Sequence, residues 1–390
     1  MLKTLSFTIL LVTSHTIFSQ NSNIKPDSKI PLNTKPLSKR KVIFSELQNI
    51  NEVYFFKGVP YTGISFETFD GRIKMQEMEW VNGLLHGTKT EWFKGGSIIR
   101  AKMRFSEGKR NGVFENYYSN GKPKLIGKYV NDVLDSLLTA FYLSGVLQYT
   151  FTYANGEKTG EAKTYYQNGN LEQSVYLING YPNGNMKTYY EAGNIRMETT
   201  YINGIKDGKY LRYHLTGLVA EESYYKNGVQ DSISLYWDNV FGNKLKQEHY
   251  KMGIKEGVWI TFNELGDTLT IFNYKNNVYD GEFKKYFCGD VEIGDKMNGK
   301  LSTFDRTKSI KKYIYALDEY GTYVNGKLNG QFKTGLYHRE AHAEGVFDDG
   351  NKIGEWRYFD ENDKLVLFEK YNELGELIEQ KPQLQPLKGE

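Results

Sequence analysis

Along most of the chain, apolar and polar residues alternate with a period of two over short stretches, and each stretch closes on glycine, asparagine or aspartate. The segment "NGEKTGEAKTYYQNGNLEQSVYLING", Asn155 to Gly180, is typical. Such alternation predicts strands that send successive side chains to opposite faces. Asn-Gly between two such runs predicts a hairpin reversal. The turn residues recur in register at Gly58, Gly83, Gly108, Gly156, Gly180, Gly204, Gly228, Gly253, Gly299, Gly326 and Gly350, with Asp132 and Asn277 as substitutes. Steps between them run from 22 to 27 residues and are most often 24. Most units carry a second glycine four residues on, including Gly87, Gly112, Gly160, Gly184 and Gly208. A unit of about 24 residues holds two strands and is too short for a propeller blade.

Reading Asn168-Gly169 as a two-residue type I′ loop sets the register by counting outward. Gly160 then faces Leu177, Gly112 faces Tyr129, Gly184 faces Tyr201 and Gly208 faces Tyr225. Each strand glycine thus meets a large side chain that can lie across bare backbone. The face carrying these pairs is expected to be buried. The other face carries an aromatic column, Trp92, Tyr117, Phe141, Tyr165, Tyr189, Tyr213, Trp237, Phe262 and Tyr286, and is expected to meet water. From Gly299 to Gly326 "DRTKSIKK" replaces the hairpin centre, which predicts a kink or an irregular loop. The expected fold is all-β: an elongated antiparallel meander of tandem hairpin repeats in a twisted or curled sheet. Its apolar face needs covering by curling, by terminal segments or by another chain.

Composition narrows the class. The chain has 390 residues, 15% aromatic, with 39 glycines, 31 tyrosines and 8 prolines, which is too aromatic for disorder and suited to a turn-rich β protein. A formal net charge of +3 argues against a nucleic-acid binder. No apolar run predicts a transmembrane segment. The start, "MLKTLSFTILLVTSHTIFSQ", has a basic residue, a short apolar run and a polar end, the layout of a secretory signal peptide over residues 1–19. A flexible basic, Pro-containing linker is expected over 20–42, the repeat array over 43–375 and a polar tail over 376–390. The protein is therefore expected to be exported. Its lone Cys288 leaves no intramolecular disulfide.

The recurring pattern, Asn-Gly followed by a strand glycine, an aromatic pair and a second Asn-Gly, resembles the bacterial variant of the MORN repeat. The resemblance covers roughly Gly58 to Gly354 and includes proteins labelled YwqK-type antitoxins. It implies a β-hairpin array that binds partners or lipids and is not an enzyme. Choline- or glucan-binding repeats and the Tyr-Asp repeats of large toxins fit fewer units, although "FDGRI" at Phe69 to Ile73 approaches the latter.

Candidate chemistry is sparse. In "YHREAHAEG" a strand would project His338, Glu340, His342 and Glu344 from one face as possible metal ligands. Their spacing of about 6.5 Å is wide for one tetrahedral ion, so a solvated strand face is favoured and no metal or other cofactor is expected. Cys288 falls at the hairpin-turn position of its unit, where a plain turn residue is favoured over a nucleophile. Within the aromatic column, Trp92, Tyr117, Tyr165, Tyr189, Tyr213 and Trp237 are candidate partner-binding residues, because regularly spaced rings can anchor a protein or stack on sugars. Packing on neighbouring strands is the competing role. The expected function is a non-enzymatic scaffold for a protein partner or envelope component. The alternatives are a carbohydrate or peptidoglycan binder, an antitoxin-like inhibitor, and a metal-dependent enzyme at His338 and His342.

Overall fold

The computed structural model describes residues 40–293, 310–335, 341–360 and 362–382. The signal, nearly all of the linker, Gly299, His338 and Glu340 lie outside the described residues. The repeat turn takes the expected form. Asn155 and Gly156 have φ of +50° and +84°, the two left-handed residues of a type I′ reversal. Asn131-Asp132 adopts +49° and +70°, and Asn276-Asn277 adopts +52° and +70°, since short polar side chains tolerate this region.

The opposite end of the hairpin closes differently from expectation. Of Asn168 and Gly169 only the glycine is left-handed, at +91°. The Gly169 N–H donates to the Tyr166 carbonyl and the Tyr166 N–H to the Asn170 carbonyl, each at 2.9 Å. This is a three-residue loop, a type I turn followed by a left-handed residue, and not a two-residue type I′ loop. A bulge between Thr164 and Tyr165 absorbs the extra residue and pairs Tyr165 with Leu171 instead of Glu172. Beyond the bulge the counted register holds: Gly160 pairs with Leu177, Gly112 with Tyr129, Gly184 with Tyr201 and Gly208 with Tyr225.

From Gly63–Thr68 to Leu377–Pro382 consecutive strands pair antiparallel in one long sheet that does not close into a barrel. The array runs further than the boundaries read from sequence. Lys41–Ile43, at the edge of the supposed linker, forms a strand parallel to Gly63–Thr68 and buries Val42. Leu377–Pro382, assigned to the polar tail, pairs with Leu365–Tyr371. Both segments satisfy backbone groups of a strand that would otherwise be an open edge.

A second correction concerns the unit expected between Gly299 and Gly326. The strand Gly281–Ile293 pairs directly with Ile310–Val324, from Gly281 opposite Tyr323 to Ile293 opposite Ile310. One long hairpin replaces two units, and the ring opposite Gly281 is that of Tyr323. Cys288 consequently lies inside a strand opposite Tyr315 and not in a turn. Burial raises its thiol pKa.

Over most of its length the sheet is one layer: among the described residues, element contacts run mainly between sheet neighbours. The N-terminal end is capped. A small sheet of Gln48–Ile50, Val53–Phe56 and Val59–Pro60 brings Tyr54 to 4.6 Å from Trp80, ring to ring. Phe44, Tyr54 and Phe56 pack there against Val42, Tyr61, Met78 and Trp80.

Both long edges of the sheet are stitched. On the turn edge each turn residue donates its N–H to a carbonyl of the preceding unit: Gly156 to Leu134 at 2.9 Å, Gly180 to Lys158 at 2.7 Å, Gly204 to Pro182 at 2.8 Å. On the loop edge, in four successive units, the second ring of the aromatic pair donates its hydroxyl to the backbone one unit on. Tyr118 reaches Phe141, Tyr142 reaches Tyr165 and Tyr166 reaches Tyr189, each at 2.7 Å, and Tyr190 reaches Tyr213 at 2.8 Å. Where histidine replaces tyrosine, His214 Nε2 lies 3.0 Å from the Trp237 carbonyl.

The glycine face is the buried one, as expected. Its residues interlock by size, large against small. Gly127 pairs with Phe114, Ala162 with Val175, Gly321 with Phe283 and Gly345 with Phe332. A Cβ on Gly345 would sit 2.3 Å from the ring of Trp356, itself 2% exposed. Gly345→Ala is therefore expected to destabilise the C-terminal units by about 1–3 kcal/mol, the usual cost of overpacking. A lowered urea midpoint by far-ultraviolet circular dichroism is the check; an unchanged midpoint would mean that Trp356 can move aside freely.

Candidate partner-binding faces

The sequence-predicted residues occupy one structural position. Trp92, Tyr117, Tyr165, Tyr189, Tyr213 and Trp237 each end their strand, at the bulge that precedes the loop. With Phe141 standing between Tyr117 and Tyr165, successive members of the column are two strands apart, about 10 Å at about 4.8 Å per strand. All six are half-buried, so the column is less open to water than expected. The carbonyls of Tyr165, Tyr189, Tyr213 and Trp237 take part in the ladder just described, held by side chains of the preceding unit. Both roles weighed for these rings remain available to them, since each keeps part of its surface.

Tyr117 is held most firmly. Its phenol donates to Glu115 Oε2 at 2.7 Å. Burial first, then the Glu115 carboxylate, pushes its pKa up to about 12. Replacing Glu115 by glutamine is expected to move the Tyr117 titration down toward the ordinary value of about 10. Tyrosine Cζ resonances followed by NMR against pH would report it, and no movement would place the whole shift in burial.

The same face carries paired charges, with Lys163–Glu161 at 2.7 Å, Lys187–Glu198 at 3.5 Å and Lys209–Glu222 at 3.0 Å. Toward the turn edge it exposes Ile178, Tyr181, Ile202 and Ile205. Exposed pairs of this kind add little stability, but they keep the face hydrated between the rings.

The opposite, glycine-bearing face holds polar groups that sequence reading passed over. Glu248, 3% exposed, accepts hydrogen bonds from the Tyr236 and Tyr250 hydroxyls, each at 3.0 Å, and pairs with Lys246. Burial and then Glu248 raise the pKa of both phenols. Glu369 repeats the arrangement with Tyr358 at 2.7 Å, Tyr371 at 2.8 Å and Lys352 at 3.8 Å. Glu221 is matched by Arg212 at 3.1 Å. The signal was present: these carboxylates share a strand face with the rings set opposite the strand glycines, but nothing local in sequence shows which tyrosine reaches which acid.

For the metal reading, His338 and Glu340 lie outside the described residues. His342 stacks on Phe359 with ring centroids 4.4 Å apart, and its Nδ1 lies 3.7 Å from Asp363. Glu344 is taken by Lys333 at 2.6 Å. Among the described residues no group of three His, Cys, Asp or Glu side chains could hold a metal ion.

With this geometry in view, three segments stand out, residues 110–131, 158–179 and 182–203. Each matches the MORN repeat variant. Each begins just after a turn residue and ends at the next turn, so a MORN-variant unit here is one turn-to-turn hairpin. No curated protein matches the chain. Solved structures similar to it include crystal structures of TcdB2-TccC3-Cdc42 and of TcdB2-TccC3 without its hypervariable C-terminal region, each at 9% identity and a TM-score of 0.17. They align with 83% and 80% of this chain. The Photorhabdus luminescens Tc holotoxin pore aligns with 82% of it at 9% identity and a TM-score of 0.16. In each case the chain spans only 18% of the other chain's length. Outside the three matched segments, Asn227-Gly228 and Asn325-Gly326 form the same left-handed turns as the MORN-variant units. Among the described residues no helix is long and apolar enough to cross a membrane.

Proposed function

We propose that this chain is an exported, non-enzymatic repeat scaffold that docks a protein of the cell envelope through its aromatic column. The observation that carries this reading is the regular placement of Trp92, Tyr117, Tyr165, Tyr189, Tyr213 and Trp237. A half-buried ring held by its neighbours offers contact area at little entropic cost. A one-layer sheet displays such rings in a long row, which suits an extended partner surface better than a small enclosed ligand. Export rests on the basic, apolar and polar succession of the first residues, and a non-catalytic role on the MORN-like repeat.

Affinity capture from the producing cell's envelope fraction tests it, with a chain beginning at Gln20 as bait. The bait is expected to retain a protein that is lost when Trp92, Tyr117, Tyr165 and Tyr189 are changed to serine. Equal recovery of that protein by both baits would sink the column as the docking face.

A further inference from the structure

The glycine-bearing face also carries a row of cationic side chains apart from the aromatic column. The residue two places after the repeat turn is a cation in every second unit over much of the array: Arg110, Lys158, Lys206 and Lys255. Between them stand Leu134, Pro182 and Gln230. The cations are therefore four strands apart, about 19 Å at about 4.8 Å per strand. Each is seated on aromatic rings. The Arg110 guanidinium lies 4.2 Å from the Tyr129 ring centroid, and the Lys158 ammonium 4.0 Å from Phe151. Lys206 lies 4.8 Å from Tyr210 and 4.9 Å from Tyr225, and Lys255 4.4 Å from Trp259 and 5.0 Å from Tyr274.

Their charge balance is unequal. Arg110 has its own carboxylate, Asp132 at 2.9 Å. Among the described residues, Lys158, Lys206 and Lys255 form no ion pair, although Glu221 attracts Lys206 from a greater distance. Three carboxylates of this face, Glu221, Glu248 and Glu369, each have a cation of their own. The three lysines are thus surplus positive charge on a half-buried aromatic floor. Burial pushes the pKa of Lys158 and Lys206 down, the direction expected of ammonium groups that have lost water and gained no counter-charge. An anion laid against them would restore what they lack.

Along this row the rings beneath the lysines, Phe151, Tyr210, Tyr225, Trp259 and Tyr274, form an aromatic floor. The strands that form this floor are paired on both sides, so no open edge is presented there. A peptide lying across them would find no backbone ladder to join and would keep its own N–H and C=O groups unmatched. A sugar chain has no such requirement. Its ring faces can stack on tyrosine and tryptophan, and an acid group on many of its sugars would meet the widely spaced lysines in any register.

We propose that the glycine-bearing face, from Lys158 to Lys255, binds an acidic polysaccharide whose carboxylates pair with Lys158, Lys206 and Lys255. The site is separate from the aromatic column, so it goes beyond the docking role proposed above.

The test uses the chain beginning at Gln20 and three probes of similar length: oligogalacturonate, neutral malto-oligosaccharide and polyglutamate. Binding is read by calorimetry and by the fluorescence of the tryptophans, of which Trp259 lies under Lys255. Oligogalacturonate is expected to bind, more weakly as salt rises, while the neutral sugar does not. Changing Lys158, Lys206 and Lys255 together to glutamine is expected to weaken binding by about tenfold or more, at roughly 1.4 kcal/mol per decade. Changing Lys163, Lys187 and Lys209 on the other face is expected to leave it within about twofold, as exposed charges there contribute little. If the triple variant does not fold, Lys206→Gln alone, at about threefold, replaces it. Absence of oligogalacturonate binding, equal binding of polyglutamate, or equal loss in the two triple variants would each overturn the proposal. The serine variants of the aromatic column are expected to keep oligogalacturonate binding while losing the protein partner, which separates the two readings.

Discussion

Replacing Trp80 by alanine is expected to release the N-terminal cap and leave the distant units folded. Trp80 is 2% exposed, and its Nε1 donates to Ser65 Oγ at 2.7 Å, with Ser65 itself wholly buried. Tyr54 and Phe44 of the cap lie against its ring at 4.6 and 6.1 Å. Truncation removes that packing and strands a buried hydroxyl, a loss of about 3–5 kcal/mol for a large ring in a core. In an array where each unit contacts its neighbours, such a loss acts locally, because stability is a sum of unit and interface contributions. Amide exchange should therefore accelerate sharply at Val42, Tyr54 and Ile64 and remain slow at Ala162, Val175 and Leu177. Equal acceleration at both sets would show that the array unfolds as one cooperative body.

The second large effect is expected at Glu248. Glu248→Ala removes the shared acceptor of the Tyr236 and Tyr250 hydroxyls and the partner of Lys246. The lysine side chain is 43% exposed and can turn to water, so its charge is not stranded. The hydroxyls are more confined, and leaving both unsatisfied costs about 2–4 kcal/mol in all. Glu248→Gln keeps an acceptor and should cost less than half as much. It also removes the negative charge that raises both phenols, so Tyr236 and Tyr250 are expected to ionise at lower pH in that variant. Chemical unfolding of the two variants gives the order of costs, and a glutamine variant as unstable as the alanine variant would mean that charge matters more than hydrogen bonding here.

The fold was legible in the sequence to an unusual depth because its determinants are local. Alternation sets strands, and Asn-Gly sets type I′ turns. Even the unit with Asp132 and Ser136 in place of glycines keeps the left-handed conformations, at +70° and +67°. The errors came where local rules admit two answers. Asn168-Gly169 fits a two-residue loop or the last two residues of a three-residue loop, and only the bonds of Tyr166 decide between them. At Gly299 the same turn signal carried no aromatic pair to support it, and the strand from Gly281 pairs instead with residues well beyond the expected unit.

The site was less legible. The column of candidate rings shares one strand position, but it is half-buried, and the side-chain bonds that hold the backbone of Tyr165, Tyr189, Tyr213 and Trp237 come from the preceding unit. Those bonds depend on how far apart units settle, which no single unit encodes. Lys158, Lys206 and Lys255 illustrate the same limit: their spacing can be counted from the turns, but their lack of an acidic partner is a statement about four strands at once.

The sequence by itself determined the repeat length, the turn chemistry, the register of glycine against ring and the choice of buried face, since each depends on residues within one hairpin. The tertiary structure alone decided how units join, which end is capped, which carboxylates are matched and which lysines are not. Those features arise from contacts between hairpins, where side-chain reach and inter-strand distance, and not local backbone preference, select the partner.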